Sequence, residues 1–136
     1  MNFVIYSAAT GEILRRGICQ PSTLERQAGE GEIVLEGDFS GYDYIDLQTH
    51  NPERIPPQPS SFHVFDWGKM LWIYDEAAAW ASIRSQRDAL ISLTDWTQLP
   101  DVSDEKRIAW QGYRQQLRDI TIQPDALHIE WPEEPV

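Results

Sequence analysis

The residues that could support metal binding or nucleophilic catalysis are few and lie far apart in the sequence. The three histidines, His50, His63 and His128, fall in different predicted elements, and none has a second histidine at helical metal-site spacing. Cys19 is the only cysteine, so no internal disulfide or cysteine-based metal cluster can form. Its surroundings favour a buried small apolar side chain over a nucleophile. We therefore expect no metal ion and no cofactor.

Carboxylates are plentiful, but their spacing matches no catalytic or calcium-binding pattern. Asp101, Asp104 and Glu105 depart from the EF-hand spacing and suit the start of a helix instead. The sequence contains no G-x-S-x-G elbow, no phosphate-binding glycine loop and no dinucleotide fingerprint. A cell-wall hydrolase would need a pair of acidic residues or a metal within a cleft. We therefore predict that the protein is not an enzyme.

The most informative residues are aromatic side chains and arginines in the second half of the chain. Trp, Tyr and Arg are the residue types most enriched at binding hot spots. The predicted partner-binding residues are Trp96, Trp110, Tyr113, Arg114, Arg118 and Trp131. A structural explanation stands beside this one, in which the tryptophans fill a small core and the arginines pair with Asp88, Asp95 or Asp119. The two interpretations are compatible, because two helices alone bury too little surface for firm stability.

Composition and charge narrow the classes of partner. The chain has 136 residues, 41% of them hydrophobic, which is room for one compact domain or two small modules. The formal net charge of -11 disfavours nucleic acid and anionic membranes. A basic partner stays open, and solubility alone also explains the charge. No signal-peptide pattern or membrane-length apolar stretch occurs, which predicts a protein made and kept in the cytoplasm.

The first half of the chain predicts a small antiparallel β module followed by a linker. Residues 3–6, 13–19, 33–35 and 42–47 have the patterns of strands, and the first two form a hairpin around a turn at residues 10–12. Residues 21–28 suit a short helix with Ser22 as N-cap and Glu25 completing a capping box. Residues 48–61 contain four prolines and predict a semi-stiff linker or a strap laid over a surface.

The second half predicts a β-hairpin and two helices. Residues 62–74 form two aromatic-rich arms around a turn at Asp66, Gly68 and Lys69. Helices are expected over residues 76–93 and 104–119, with Asp75 and Ser103 as N-caps. The first helix also carries Arg84 and Asp88 on its outer face, four residues apart. Their apolar stripes predict an antiparallel helical hairpin. The stripe residues are Ala79, Trp80, Ile83, Gln86, Leu90, Ile91 and Leu93 in the first helix, and Ala109, Trp110, Tyr113, Leu117 and Ile120 in the second.

The fold class is therefore α+β, with a β module at residues 1–47, a linker at 48–61 and a hairpin-plus-helices module at 62–136. The extended end, residues 128–136, contains two large apolar side chains, Ile129 and Trp131. An exposed tail would not need them. We expect these side chains to dock on the protein itself or on a partner.

The second half resembles the phage tail assembly chaperone family over residues 62–135. The resemblance lies in the order of motifs such as Thr94-Asp95-Trp96-Thr97-Gln98-Leu99-Pro100, Ala109-Trp110-x2-Tyr113-Arg114 and Ile129-x-Trp131-Pro132. The first half is similar to a module that often precedes this region in phage tail-fibre gene clusters, through Thr10-Gly11-Glu12-Ile13, Gln27-Ala28-Gly29-Glu30-Gly31-Glu32 and Leu35-Glu36-Gly37.

The resemblance implies a tailed-phage or prophage protein that binds tail-fibre, baseplate or tail-tip proteins. The protein would act as an assembly chaperone in the host cytoplasm or as a structural subunit in the virion tail, and self-association is compatible with both roles. The resemblance carries no catalytic residues. The alternative function is an acidic inhibitor that binds a basic host protein or a DNA-processing protein, which the net charge motivates.

Overall fold

The computed structural model describes every residue from Met1 to Val136 and divides the chain into two compact units. The first unit is Met1–Ile73 and the second is Tyr74–Val136. This division lies at the end of the predicted hairpin, whereas the predicted modules have boundaries at residues 47/48 and 61/62. The division of the chain into separate modules at residues 47/48 and 61/62 stays a prediction. None of the helices is both long and apolar enough to cross a lipid bilayer.

A three-stranded antiparallel sheet forms the core of the first unit. The strands are β1 (Asn2–Ser7), β2 (Ile13–Ile18) and β3 (Glu32–Glu36), in the order β2-β1-β3. The apolar run of β1 is central, is paired on both edges and is buried on both faces. The register shifts between Ile5 and Tyr6, where Leu14 is an extra residue that forms a bulge in β2. The predicted β1–β2 hairpin is confirmed.

The connection from β2 to β3 is a short 3-10 helix, Pro21–Gln27. The predicted N-cap at Ser22 is wrong, because the helix begins one residue earlier and Gln20 precedes it without a side-chain cap. Proline has its φ fixed near the helical value and lacks an N–H, so Pro21 takes the first helical position and leaves Ser22 inside the helix.

The predicted linker folds back on the first unit. Residues Tyr44–Ile45 form the short strand β4, which pairs antiparallel with β5 (Pro52–Glu53). The predicted fourth strand, residues 42–47, is thus only two residues long and belongs to a separate sheet. A reversal at His50, whose φ is 60°, makes this pairing possible. Residues 52–53 of the predicted semi-stiff linker or strap therefore pair with β4, and the role of residues 48–61 as a linker between two modules stays a prediction.

The predicted aromatic hairpin is confirmed as β6 (His63–Asp66) and β7 (Leu71–Tyr74). The Asp66 carboxylate accepts a hydrogen bond from the Lys69 amide at 2.9 Å and closes the turn. The Phe65 ring packs edge-on against Trp72, with 5.2 Å between ring centroids. The indole of Trp72 also donates to the Pro56 carbonyl at 2.8 Å, and this hydrogen bond connects the hairpin to the proline-rich segment, residues 48–61.

The second unit contains α1 (Glu76–Ser92) and α2 (Asp104–Arg118), which contact each other. Both N-caps are confirmed, because Asp75 accepts from the Ala78 amide and Ser103 from the Lys106 amide. Two 3-10 turns follow the helices, Asp95–Gln98 after α1 and Asp119–Ile122 after α2. The buried apolar residues of this unit are Ala79, Ile83, Tyr113, Leu117, Ile120 and Ala126.

Several predicted stripe residues lie outside this core. Gln86, Leu93 and Ala109 are exposed. Leu93 is the C-cap that follows the last residue of α1, and no neighbouring element buries Gln86 or Leu93. The Asp88 carboxylate pairs with the adjacent Arg87 at 2.8 Å, in place of the expected Arg84.

Candidate partner-binding surface

Two tryptophans, one exposed and one half-buried, form an aromatic pair on the second unit. Trp96 comes from the first 3-10 turn and Trp110 from α2, and their ring centroids lie 5.9 Å apart. The Trp96 side chain is 49% exposed, and Leu99, three residues later, is 51% exposed. The Lys106 ammonium lies 5.8 Å from the Trp96 ring centroid, within cation–π range. We call Trp96, Leu99, Lys106 and Trp110 the aromatic edge.

Tyr113 supports the aromatic edge from the core side. Its ring is 5% exposed and meets Trp110 edge-on, with 5.6 Å between centroids. Burial, together with the nearby Glu134 carboxylate, raises the pKa of the Tyr113 phenol. Edge-to-face aromatic contacts fix ring orientation as well as burying area. Tyr113 therefore positions Trp110 from within the core.

Arg114 ties the turn that carries Trp96 to α2. Its Nη1 atom donates to the Ile91 carbonyl at 3.2 Å and to the Thr94 hydroxyl at 2.8 Å. The same atom lies 2.9 Å from the Asp95 carboxylate. The last carbonyls of a helix lack partners within the helix, so Arg114 also caps the end of α1. The alternative in which an arginine pairs with Asp95 is thus confirmed for Arg114.

Two threonines to which the sequence pattern gave no separate role complete this turn. Both Thr94 and Thr97 are buried, and the Thr97 hydroxyl donates to the Thr94 carbonyl at 2.6 Å. The Thr94 hydroxyl donates to the Ile91 carbonyl at 2.7 Å. Threonine hydroxyls that bond backbone carbonyls three residues earlier stabilise tight turns. The spacing Thr94-x-x-Thr97 after a helix is the signal that could have revealed them.

The remaining two predicted contact residues lie away from the aromatic edge. Arg118 is exposed and donates to the Gln115 side chain at 3.1 Å. It lies eight residues after Trp110, or about 12 Å along the helix axis at 1.5 Å per residue. Trp131 is half-buried and lines a hollow beside Ile120 and Gln123. The structure thus brings four of the six predicted residues together.

The residues considered for metal or thiol chemistry have ordinary structural contacts. No group of three or more His, Cys, Asp or Glu side chains is placed to hold a metal ion. The Nδ1 atom of His128 lies 2.6 Å from the Asp125 carboxylate, and that of His63 lies 2.6 Å from the Ser60 hydroxyl. Cys19 is half-buried and not fully buried as expected.

Comparison with known proteins gives one family match, which covers less than half of the chain. No curated protein and no solved structure matches the chain. Residues 80–136, which contain all six predicted contact residues, match the family model described as phage tail assembly chaperone protein. The match confirms the resemblance seen in the sequence over this segment and leaves residues 1–79 outside it. The segment of the chain that carries the aromatic edge is therefore similar to phage tail assembly chaperones, which supports a role in phage tail assembly.

Proposed function

We propose that the protein binds a tail-fibre, baseplate or tail-tip protein through the aromatic edge of its second unit. The observation that carries this proposal is the half-exposed Trp96 packed on Trp110 within the family-matched segment. An exposed tryptophan beside a second aromatic ring provides a large apolar contact together with an indole N–H donor. Such clusters commonly dominate the binding energy of protein interfaces.

Tyr113 and Arg114 act in this proposal as positioning residues. They hold Trp110 and the Trp96 turn in place through the contacts described above, and only their outer atoms reach the surface. Arg118 lies on the flank, where its guanidinium is free to meet a carboxylate of the partner at the polar rim. Trp131 belongs to the C-terminal segment that lies beside α2.

Co-purification with the product of the neighbouring tail-fibre gene tests the proposal. Trp96→Ala should weaken capture by at least about 30-fold, the size of a hot-spot loss. Ile108→Ala is the matched control, because Ile108 is a 65% exposed apolar residue two positions before Trp110 and therefore on another side of α2. Equal binding by wild type and both variants would refute the aromatic edge as the binding surface.

Purified virions distinguish the two forms of this role. An assembly factor acts in the host cytoplasm and is absent from the finished particle, whereas a structural subunit stays in the tail in fixed copy number. Quantitative mass spectrometry of virions gives this number directly. Recovery of host nucleases or polymerases from a lysate, without any tail protein, would instead favour the acidic-inhibitor function.

A further inference from the structure

The residues that follow Gln123 reverse direction and return along α2. Asp125 makes this turn, because its carboxylate accepts from the Leu127 amide at 2.9 Å and its carbonyl accepts from the His128 amide at 3.2 Å. The side chain of Gln123 then clamps the returning backbone at Glu130. Its Nε2 donates to the Glu130 carbonyl at 2.9 Å, and its Oε1 accepts from the Glu130 amide at 2.9 Å.

We call residues 129–136 the return strap. Near Gln123, the strap and the end of α2 border an open hollow of about 600 Å³ lined by Gln116, Ile120 and Trp131 among others. At the other end of α2, Pro135 borders a second hollow of about 280 Å³ beside Trp110. The lengths of the helix and of the strap agree with an extended strap that runs along the helix. Residues 106–120 span about 21 Å of helix, and residues 130–136 span about 20 Å when extended.

The strap is held by few interactions. It has no regular secondary structure and no fully buried residue. Both of the hydrogen bonds described above go to a single side chain, Gln123. The hollows beneath it show that its side chains do not fill the surface along α2. A segment with few buried contacts opens locally at low cost compared with the folded core.

The strap ends on the surface proposed for partner binding. Trp110 packs against Trp96 on one side and borders the hollow with Pro135 on another. A partner that covers Trp110 must therefore meet the strap. The strap also shows which chemistry this groove accepts. The groove accepts an extended backbone that hydrogen-bonds to the Gln123 side chain. It also accepts an adjacent aromatic residue and proline at one end and a second proline at the other end.

We infer that the groove along α2 binds an extended, proline-containing segment of the tail-protein partner, and that the return strap occupies this groove until the partner displaces it. The inference rests on the proposed function for the identity of the partner. The glutamine clamp bonds only to backbone atoms, so it fits any extended segment that presents a free N–H and C=O pair. Specificity then comes from the side chains that line the two hollows, some of them apolar and some polar.

A labelled peptide with the sequence of residues 128–136, HIEWPEEPV, contains the strap and tests the groove without any tail protein. It should bind a variant that stops after Leu127 at least about tenfold more tightly than it binds the full chain, because the strap competes in the full chain. Fluorescence polarisation measures both affinities. In the shortened variant, Gln123→Ala should weaken peptide binding, while Gln115→Ala, at an exposed position that lines neither hollow, should not. Equal affinity for both chains, or no binding to either, overturns the inference.

A second variant avoids truncation altogether. Glu130→Pro in the full chain removes the amide that donates to Gln123 and leaves the groove intact. This variant should bind the peptide more tightly than wild type, whereas Glu134→Ala, at an exposed strap position that lines neither hollow, should match wild type. Unchanged binding by Glu130→Pro in a folded protein contradicts a displaceable strap.

An experiment with the tail protein distinguishes a failure of this inference from a failure of the proposed function. Added to the shortened variant with bound peptide, the tail protein should release the peptide. If the tail protein binds the full chain in a Trp96-dependent way but leaves the peptide bound, the groove inference fails and the proposed function stands. If it does not bind the chain at all, the proposed function fails, and the peptide result still reports on the groove.

Discussion

The guanidinium of Arg114 lies 2.9 Å from the carboxylate of Asp95, and only 14% of the arginine side chain is exposed. Two further hydrogen bonds from the same nitrogen reach Ile91 and Thr94. The arginine therefore links the end of α1, the Trp96 turn and α2. Arginine is common at protein interfaces, but Arg114 mainly stabilises the Trp96 turn next to it.

Arg114→Ala should lower the free energy of unfolding by about 1–3 kcal/mol, because it leaves half-buried acceptors without a donor. Urea denaturation followed by circular dichroism measures the loss. The matched control is Arg118→Ala, since Arg118 is exposed on the same helix with one bond to Gln115. Its effect should stay within about 0.5 kcal/mol. Equal losses for the two variants would show that Arg114 has no special structural role.

Gly11 and Gly31 both have positive φ angles, 85° and 72°, but their surroundings differ. A Cβ on Gly11 would lie 2.1 Å from the Ile45 carbonyl oxygen, whereas a Cβ on Gly31 meets nothing within 4 Å. Gly31→Ala should cost about 1 kcal/mol, from the left-handed backbone alone. Gly11→Ala should cost about 3–5 kcal/mol, because the clash with the backbone adds to this strain.

Thermal or urea unfolding of the two glycine variants provides the measurement. The amide of Ile45 also donates to the Gly11 carbonyl at 2.8 Å, so Gly11→Ala should disturb the β4–β5 pairing. Backbone amide shifts around Ile45 should move in this variant and stay in place in Gly31→Ala. Similar stabilities for both variants would contradict the close approach.

Glu32 on β3 should make stability depend on acid pH. The hydrogen bond from Arg15, assisted by the Gly29 amide, lowers the pKa of the Glu32 carboxyl from its usual value of 4.5 to about 2. A lowered pKa in the folded state stabilises the protein above pH 4.5, and this stabilisation disappears as the pH falls from 4.5 towards 2. Glu32→Gln should remove this part of the pH dependence, and Arg15→Ala should raise the pKa of Glu32.

Carboxylate titration by NMR measures the pKa of Glu32, and melting temperatures between neutral and acid pH measure its effect on stability. Glu36→Gln, on the same strand, provides the control. Because the Arg15–Glu32 pair is exposed to solvent, added salt should weaken the effect. A Glu32 pKa near the usual value in the wild type would contradict the described pairing.

The proline-rich segment should be protected and not mobile. The Asp43 amide donates to the Glu53 carbonyl at 2.9 Å, and the Asp46 amide donates to the Asn51 carbonyl at 2.9 Å. Hydrogen exchange at these two amides should therefore be at least about tenfold slower than in an unfolded chain. Exchange at the unfolded rate would instead support the independent modules predicted at residues 1–47 and 62–136, joined by a linker.

The sequence alone determined those features that depend on near neighbours along the chain. The bounds of both helices agree with prediction to within a residue, because Asp75 and Ser103 cap backbone amides three residues away. The β1–β2 hairpin and the β6–β7 hairpin also follow from local alternation and turn residues. The order of motifs in the second half was enough to indicate the family that matches residues 80–136.

Tertiary structure decided which of these side chains make structural contacts within the protein. A helical repeat gives the angle of Tyr113 and Arg114 around α2, but not the turn that covers them, so their structural contacts could not be read from spacing. Likewise, the prolines of residues 48–61 predict extended backbone, yet pairing with β4 depends on a reversal at His50 and on a neighbour brought there by the fold. Burial is a relation between distant segments, and no local pattern contains it.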